Sequence, residues 1–568
     1  MTETDPTSSG PSPLEITTTG IVDQEPMDQI APENTQSDNS NSKPSKKSGI
    51  FGASSNLVNS IVGAGIIGIP YALLQCGLIA GVLLLILVAW LTDKSLQIIV
   101  GLAEFHPKLK TRNVRTYEDL MAYPFGKLGA NFILFNMFIL AYGAMIAYLL
   151  IIKDTIPSAL GIDADGKGSF YEREFIMMML SLIIMFPLSA QRDMASLSFT
   201  SLLSVAADVV LVIFIAMYSP MERTVGEAGG FGQVLKDDWI KPTIFIGLGI
   251  VSTAMACQHS AFIVSGSLAN TTKSRWSRVS FWSLFVSTTL CIILGVCGYL
   301  GFLDDTQGDI LNNFPADSIA SKAARILLAI TMVFTYPMES FVARHVIIKL
   351  FCAGDLDGPI DDNGKSKAEI LFMSRRVAVT FCIYIATLLP ALIFDDIGPV
   401  LSITGSLGGS MLAYMAPGMV YLGINGDHFM ESIEIYLNTR ATKAGSKTSQ
   451  EAGLELPLDG DATQQIQARN SEDVSRSKPW WWFPCFMPVW VAVASGGRQA
   501  VREKLDEEDN ENVGNENTTS DVNRDTIHPS LRDYILAIFF IVFGTIAAIA
   551  GVGSNVFVHV NNAFFTPH

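Results

Sequence analysis

Residues 56–70 read NLVNSIVGAGIIGIP. The stretch is apolar enough for the interior of a bilayer, yet it carries Asn56, Asn59 and Ser60, then Gly63, Gly65 and Gly68, and closes on Pro70. Glycine and proline weaken a helix. A helix that opens in mid-membrane frees N–H and C=O groups, and those groups must bind something. Small residues also let two helices pack closely, but close packing does not call for two asparagines beside the glycines. The stretch therefore predicts an opened helix with a binding role.

The surrounding chain is a membrane protein by composition. Of 568 residues, 49% are hydrophobic and 16% charged, with a mean hydropathy of +0.35, which is too apolar for a soluble chain of this size. Crossing about 30 Å of hydrocarbon takes about 20 helical residues. Stretches of that kind recur near 51–73, 78–103, 129–152, 174–190, 197–218, 242–264, 280–303, 323–343, 376–394, 398–422 and 532–556. The expectation is an all-α polytopic protein with eleven transmembrane helices.

The net charge of −16 lies mostly outside those spans: residues 1–48 carry −5 and residues 424–530 carry −8. The membrane body is close to neutral, so nothing recommends a nucleic acid or other polyanion as partner. Residues 1–48 are rich in Ser, Thr, Asn, Pro and Asp, which predicts a disordered cytosolic tail rather than a targeting signal. Residues 424–530 predict a disordered acidic cytosolic loop, with PWWWFPCFMPVW at 479–490 as an interfacial aromatic patch or a partner-docking motif. The seven cysteines show no paired spacing, so neither a disulfide framework nor a zinc site is expected.

Lysine and arginine collect in alternate loops: Lys108, Lys110, Arg112, Arg115 and Lys127 after the second span, Lys273, Arg275 and Arg278 after the sixth, and Lys349, Lys365, Lys367, Arg375 and Arg376 after the eighth. The positive-inside rule then places the amino terminus in the cytosol. The sequons at Asn270 and Asn517 face the cytosol on that topology and stay unglycosylated. Spans one to five and six to ten can be set side by side, with the eleventh appended in 531–568. The first span of each half is the interrupted one, NSIVGAGIIGIP at 59–70 and GLGIVSTAMACQHSAF at 247–262. Corresponding breaks in two halves point to an inverted-repeat transporter with its substrate at the midplane.

Several segments together resemble the amino acid/auxin permease superfamily, above all the sodium-coupled neutral amino acid transporters (solute carrier family thirty-eight) and the vacuolar amino acid transporters. They are NLVNSIVGAGIIGIPYA at 56–72, LTDKSL at 91–96, TYEDL at 116–120, ACQHSAF at 256–262, RWSR at 275–278, TYPMESFVARHVI at 335–347 and ITGSLGGSMLAYMAPG at 403–418. They occur in family order over roughly residues 50–425. The resemblance implies the fold of bacterial leucine-type transporters, a 5+5 inverted repeat plus one helix, within a transmembrane core of 49–423. It also implies an amino acid, neutral by its closest branch, as the substrate.

A zwitterion needs donors for its carboxylate and acceptors for its ammonium, and an opened helix offers both. Backbone groups at Ile61, Val62, Gly63, Ala64 and Gly65 are the expected substrate contacts, with Asn59 one turn earlier orienting the break or touching the ligand. Ser252, Thr253, Ala254 and Cys257 on the sixth span are the expected side-chain pocket. The resemblance implies no organic cofactor and at most a sodium ion, held by the hydroxyl of Thr335 with Asn59 and carbonyls near Ile61, a donor set suited to a hard cation. A threonine hydroxyl also bonds back to its own helix. The surface members of the family imply a long outer loop between spans five and six, whereas 219–241 is short here, so a proton-driven vacuolar or endosomal exporter stays open beside a sodium-coupled plasma-membrane carrier.

Asp208, halfway along the fifth span, fits either a proton carrier or a neutral acid bonded to a neighbouring helix. His259 fits a relay or a structural donor. Glu339 is expected to pair with Arg344 or His345 on its own helix. Neither a metalloprotease motif nor a catalytic pair of aspartates is present, so an intramembrane enzyme is not expected. A channel would want a repeated ring of side chains; an amino acid sensor on the transporter fold, using the long loop to signal, is the rival reading. Function as a monomer within the lipid bilayer is the expectation.

Overall fold

The computed structural model describes residues 49–106, 109–110, 112, 114–161, 170–191, 198–351, 369–370, 373–425 and 531–565. The tail at 1–48, the loop expected at 424–530 from residue 426 onward, with its aromatic patch, and the sequon at Asn517 lie outside the described residues, while 424–425 are helical.

The chain begins with α1 (Ile50–Val62), a 3-10 turn (Ala64–Gly68) and α2 (Ile69–Cys76), followed by α3 (Leu78–Phe105). Next is α4 (Tyr117–Ala159), a 43-residue run that departs from helical backbone at Gly126, φ 61°, two residues after Pro124. Its start is fixed by Thr116, whose side chain accepts a hydrogen bond from the Asp119 N–H, and by Glu118 and Asp119 in the first turn, where the helix dipole favours acids. Helices α5 (Phe170–Leu180) and α6 (Phe186–Ser189) flank a π-turn at Ser181–Met185. Then come α7 (Ser198–Tyr218) and two short helices, α8 (Met221–Glu227) and α9 (Phe231–Asp237).

The second part repeats the interruption. Helix α10 (Ile244–Met255) stops, Ala256 and Cys257 leave the helical conformation, and α11 (Gln258–Ser267) restarts. Helix α12 (Lys273–Phe302) is capped by Thr272, and α13 (Ile319–Phe351) runs back along α4. After a two-residue antiparallel ladder, Glu369–Ile370 with Met373–Ser374, come α14 (Arg375–Ile393) and α15 (Ile397–Thr404), the latter capped by Asp396. Two π-turns, Gly405–Gly409 and Met411–Met415, continue α15 through GSLGGSMLAYM. Helix α16 (Leu531–Phe565) closes the bundle. It docks through small residues and one amide: a Cβ at Gly544 or Gly551 would collide with Met415 or Ser406, and Asn555 donates to Ser402 Oγ at 2.8 Å.

Among the described residues, eight helices are long and apolar enough to cross a membrane, or ten if each of two bent pairs counts as one span. The bent pairs are Ile50–Val62 with Gly65–Cys76, at 49°, and Ser204–Tyr218 with Met221–Glu227, at 47°. The stretch expected to span at 174–190 is helical over Phe170–Ser189 with a π-turn at Ser181–Met185 inside it, and it is not among those eight. Large apolar side chains face outward around the bundle, among them Leu83, Trp90, Ile183, Ile213, Trp282, Phe285, Ile549 and Phe557. In water such a surface would be an aggregation liability; against lipid it is the ordinary case.

Candidate functional site

Both helix breaks expected from glycine-rich sequence are present, and they face each other. The first lies at Gly63, with φ 1° and ψ −148°, between α1 and the 3-10 turn. The second lies at Ala256 and Cys257. A Cβ on Gly65 would stand 2.3 Å from Ala254 Cα and 2.6 Å from Ala254 Cβ, so the 3-10 turn rests directly on the end of α10 and glycine is required for the approach. On the other side of the break, Ser60 Oγ donates to Ser260 Oγ at 2.5 Å, tying α1 to α11.

A cavity of about 30 Å³ opens at this junction. Ser60, Ile61, Gly63 and Gly65 line it from the first break, Thr253, Ala256 and His259 from the second, Leu140, Ala144 and Tyr148 from α4, and Glu339 and Leu401 from α13 and α15. The wall combines backbone of two opened helices with one acid, one imidazole and three hydroxyl side chains, a mixture suited to a small dipolar ligand. Gly63 sits opposite Tyr148, whose hydroxyl would lie 3.5 Å from an added Cβ.

The expected site residues divide into two groups. Ile61, Gly63, Gly65 and Thr253 reach the cavity wall. Asn59 is buried on α1 and Val62 packs in the core behind the break, while Ala64 opens the 3-10 turn. Ser252 is fully buried with its hydroxyl 3.1 Å from that of Tyr414, Ala254 carries the contact with Gly65, and Cys257 is buried within the second break, where its N–H donates to Gln258 Oε1 at 3.0 Å. Thr253 hydroxyl donates to the Leu401 carbonyl at 2.7 Å, which joins α10 to α15 beside the cavity.

Thr335 donates its hydroxyl proton to the Thr331 carbonyl one turn back, at 2.7 Å. Asp208 is buried on α7 on the side of Cys291 of α12, and it is not among the residues lining the cavity. The expected pairing of Glu339 with Arg344 or His345 does not occur. Arg344 donates to the carbonyls of Ser189 and Gln191 and to Thr380, His345 lies 3.4 Å from Glu118, and Lys349 holds the same Glu118 at 2.8 Å. A spacing of five or six along a helix turns side chains away from each other. Glu339 faces α11 instead, with Oε1 3.8 Å from His259 Nε2.

Tyr148, Leu140, Ala144, Leu401 and the cavity role of Glu339 were not legible in the sequence. The α4 residues sit in a continuous apolar helix without any local interruption, and His259 and Glu339 meet only through the folding of two distant helices.

Residues 46–437 match the family described as transmembrane amino acid transporter protein. Vacuolar amino acid transporter 2 of Saccharomyces cerevisiae is 31% identical over 378 residues, covering 66% of this chain and 76% of that protein. Putative sodium-coupled neutral amino acid transporter 11 of Mus musculus is 30% identical over 389 residues, covering 67% of this chain and 79% of its own length. Human solute carrier family 38 member 10 is 25% identical over 414 residues, 72% of this chain but 35% of that longer protein.

Proposed function

Because the chain belongs to the transmembrane amino acid transporter family, we propose that it is a secondary active carrier moving neutral amino acids across a membrane by alternating access. The observation that carries this reading is the pair of facing helix breaks with a small mixed-polarity cavity between them. The substrate carboxylate is placed at free N–H groups of the first break, at Gly63, Ala64 and Gly65, and its ammonium at carbonyls near Ile61 and Val62. Thr253 and Ala256 with Leu140 and Ala144 form the side-chain pocket, small enough to select compact neutral side chains.

On this reading the core has eleven spans in a 5+5 inverted repeat plus one. The π-interrupted segment from Phe170 to Ser189 supplies the span that length and hydropathy alone leave out of the count. The amino terminus is cytosolic, and the membrane is vacuolar, endosomal or plasma membrane, with the substrate moved by a monomer.

The coupling ion is a proton in the first reading, because a histidine and an acid stand on the cavity wall while Asp208 stands away from it. A second reading, sodium, keeps Thr335, Asn59 and the carbonyl of Ile61 as ligands. Its support is that the Thr335 hydroxyl directs its proton at Thr331, which leaves oxygen lone pairs for a cation. Uptake of labelled neutral amino acids into proteoliposomes, with sodium and pH gradients imposed one at a time, separates the two. Saturable binding without any flux would instead favour a sensor on the same fold.

A further inference from the structure

His259 and Glu339 come from different helices, α11 and α13, and both stand on the cavity wall. Their side chains are mostly buried, 10% and 16% exposed, and the Nε2 to Oε1 separation of 3.8 Å is inside ion-pair range but too long for a hydrogen bond. His259 Nδ1 is buried and makes no hydrogen bond. Among the described residues, Glu339 is the one acid within ion-pair range of the imidazole.

From α4, tyrosines Tyr148 and Tyr117 approach α11, the second stacked on Phe262 at a centroid distance of 6.0 Å. From α3, Ser95 meets Gln258 at 3.4 Å, and from α1 Ser60 meets Ser260. Tyr414, in the π-turn after α15, is occupied with Ser252, and Cys257 precedes α11. On the side of Glu339, Arg344 is turned to the carbonyls of Ser189 and Gln191, and the acid of α7, Asp208, lies toward Cys291.

We propose that His259 and Glu339 act as one proton-carrying pair of the transport site, with Glu339 the positioning partner that makes protonation of His259 possible at membrane depth. This rests on the transport reading and deepens it. With the proton aboard, imidazolium faces carboxylate and the pair is neutral. When the proton leaves for water, neutral imidazole faces carboxylate and the pair carries −1. One proton enters and one leaves, and no other group changes charge. A lone carboxylate inside the membrane is costly to close off from water. The site therefore occludes readily when the proton is bound and reluctantly when it is not, which ties one proton to each passage. The substrate is a zwitterion without net charge and does not replace the missing proton.

The test uses the full-length protein in sodium-free proteoliposomes with the membrane potential clamped at zero. Two quantities are read from the same vesicles: counterflow of a labelled neutral amino acid at equal pH, and its steady-state accumulation under a gradient of one pH unit. One proton per substrate sets a limit of about tenfold accumulation. The wild type is expected to approach it. Glu339→Gln and His259→Gln are expected to bring the accumulation ratio to about one, the value without coupling. Glu339→Asp recovers part of the ratio, and Asp208→Asn keeps it. A steady-state ratio does not depend on rate, so a merely structural defect leaves it unmoved. The proposal is overturned by accumulation in either Gln variant, by its loss in Asp208→Asn alone, or by variants that lose counterflow with no recovery in Glu339→Asp. Wild-type counterflow without pH-driven accumulation also overturns it while leaving transport intact; absence of wild-type counterflow is the separate failure of the transport reading.

Discussion

Adding a single methyl group at Gly65 tests the join between the two broken helices. An alanine Cβ there would stand 2.3 Å from Ala254 Cα, 2.6 Å from its Cβ and 2.9 Å from its N. Ordinary carbon–carbon contact is about 3.5 Å, so the 3-10 turn and the end of α10 must part by about 1 Å. Two of the three atoms are backbone, and α10 is itself pinned from behind: a Cβ on Gly405 would stand 1.8 Å from the Gly249 carbonyl. Overpacking of a tight interior costs about 1–3 kcal/mol, or about 5- to 150-fold in the population of the close-packed arrangement. Gly63→Ala is the matched control, since its Cβ meets Tyr148 hydroxyl at an ordinary 3.5 Å. Thermal stability of the purified protein should fall for Gly65→Ala and stay near wild type for Gly63→Ala, and uptake in proteoliposomes should fall for Gly65→Ala. Equal damage in the two variants, or none in Gly65→Ala, would refute the close approach of the breaks.

Other consequences can be checked independently. Gly63→Leu pushes a branched chain into the cavity toward Tyr148 and should abolish uptake with surface abundance intact; undiminished uptake would move the substrate elsewhere. Thr253→Val removes the hydrogen bond to the Leu401 carbonyl, which keeps the Gly405 N–H as donor, at a cost of about 0.5–1.5 kcal/mol; an unchanged melting temperature would show the bond to be dispensable. Asp309, in the connection between α12 and α13, has its carboxyl pushed up from 3.8 to about 7, first by burial and then by the charge of Asp154. The protonated acid is the form the fold prefers, so its contribution is full below pH 3.8 and is lost as pH rises through about 7. Hydrogen exchange of 306–314, corrected for intrinsic rates, should accelerate across that window in the wild type and not in Asp309→Asn; identical profiles would contradict it.

The first opened helix was legible because glycine, asparagine and proline interrupt an otherwise apolar run, and the second because glycines and small polar residues do, local signals that need no partner. Gly63 and Ala256–Cys257 fall inside the two stretches singled out on that ground. What the chain does not announce is anything that depends on distant helices meeting. Tyr148 belongs to a uniformly apolar run, and its place opposite Gly63 follows from how α4 packs against the break. Glu339 was assigned to neighbours on its own helix because sequence distance is all a sequence offers; the fold turns it to His259, eighty positions away in the chain. The π-turn at Ser181–Met185, inside the span near 174–190, leaves no compositional mark beyond Pro187 close by.

Counterflow is the most direct measurement of the central claim. Proteoliposomes holding the purified protein are loaded with unlabelled neutral amino acid, diluted into a trace of the labelled compound, and followed for transient accumulation of label. A carrier with one alternating site predicts an overshoot that Gly63→Leu abolishes. Saturable binding with no overshoot at any pH or sodium concentration would contradict transport and leave a sensor.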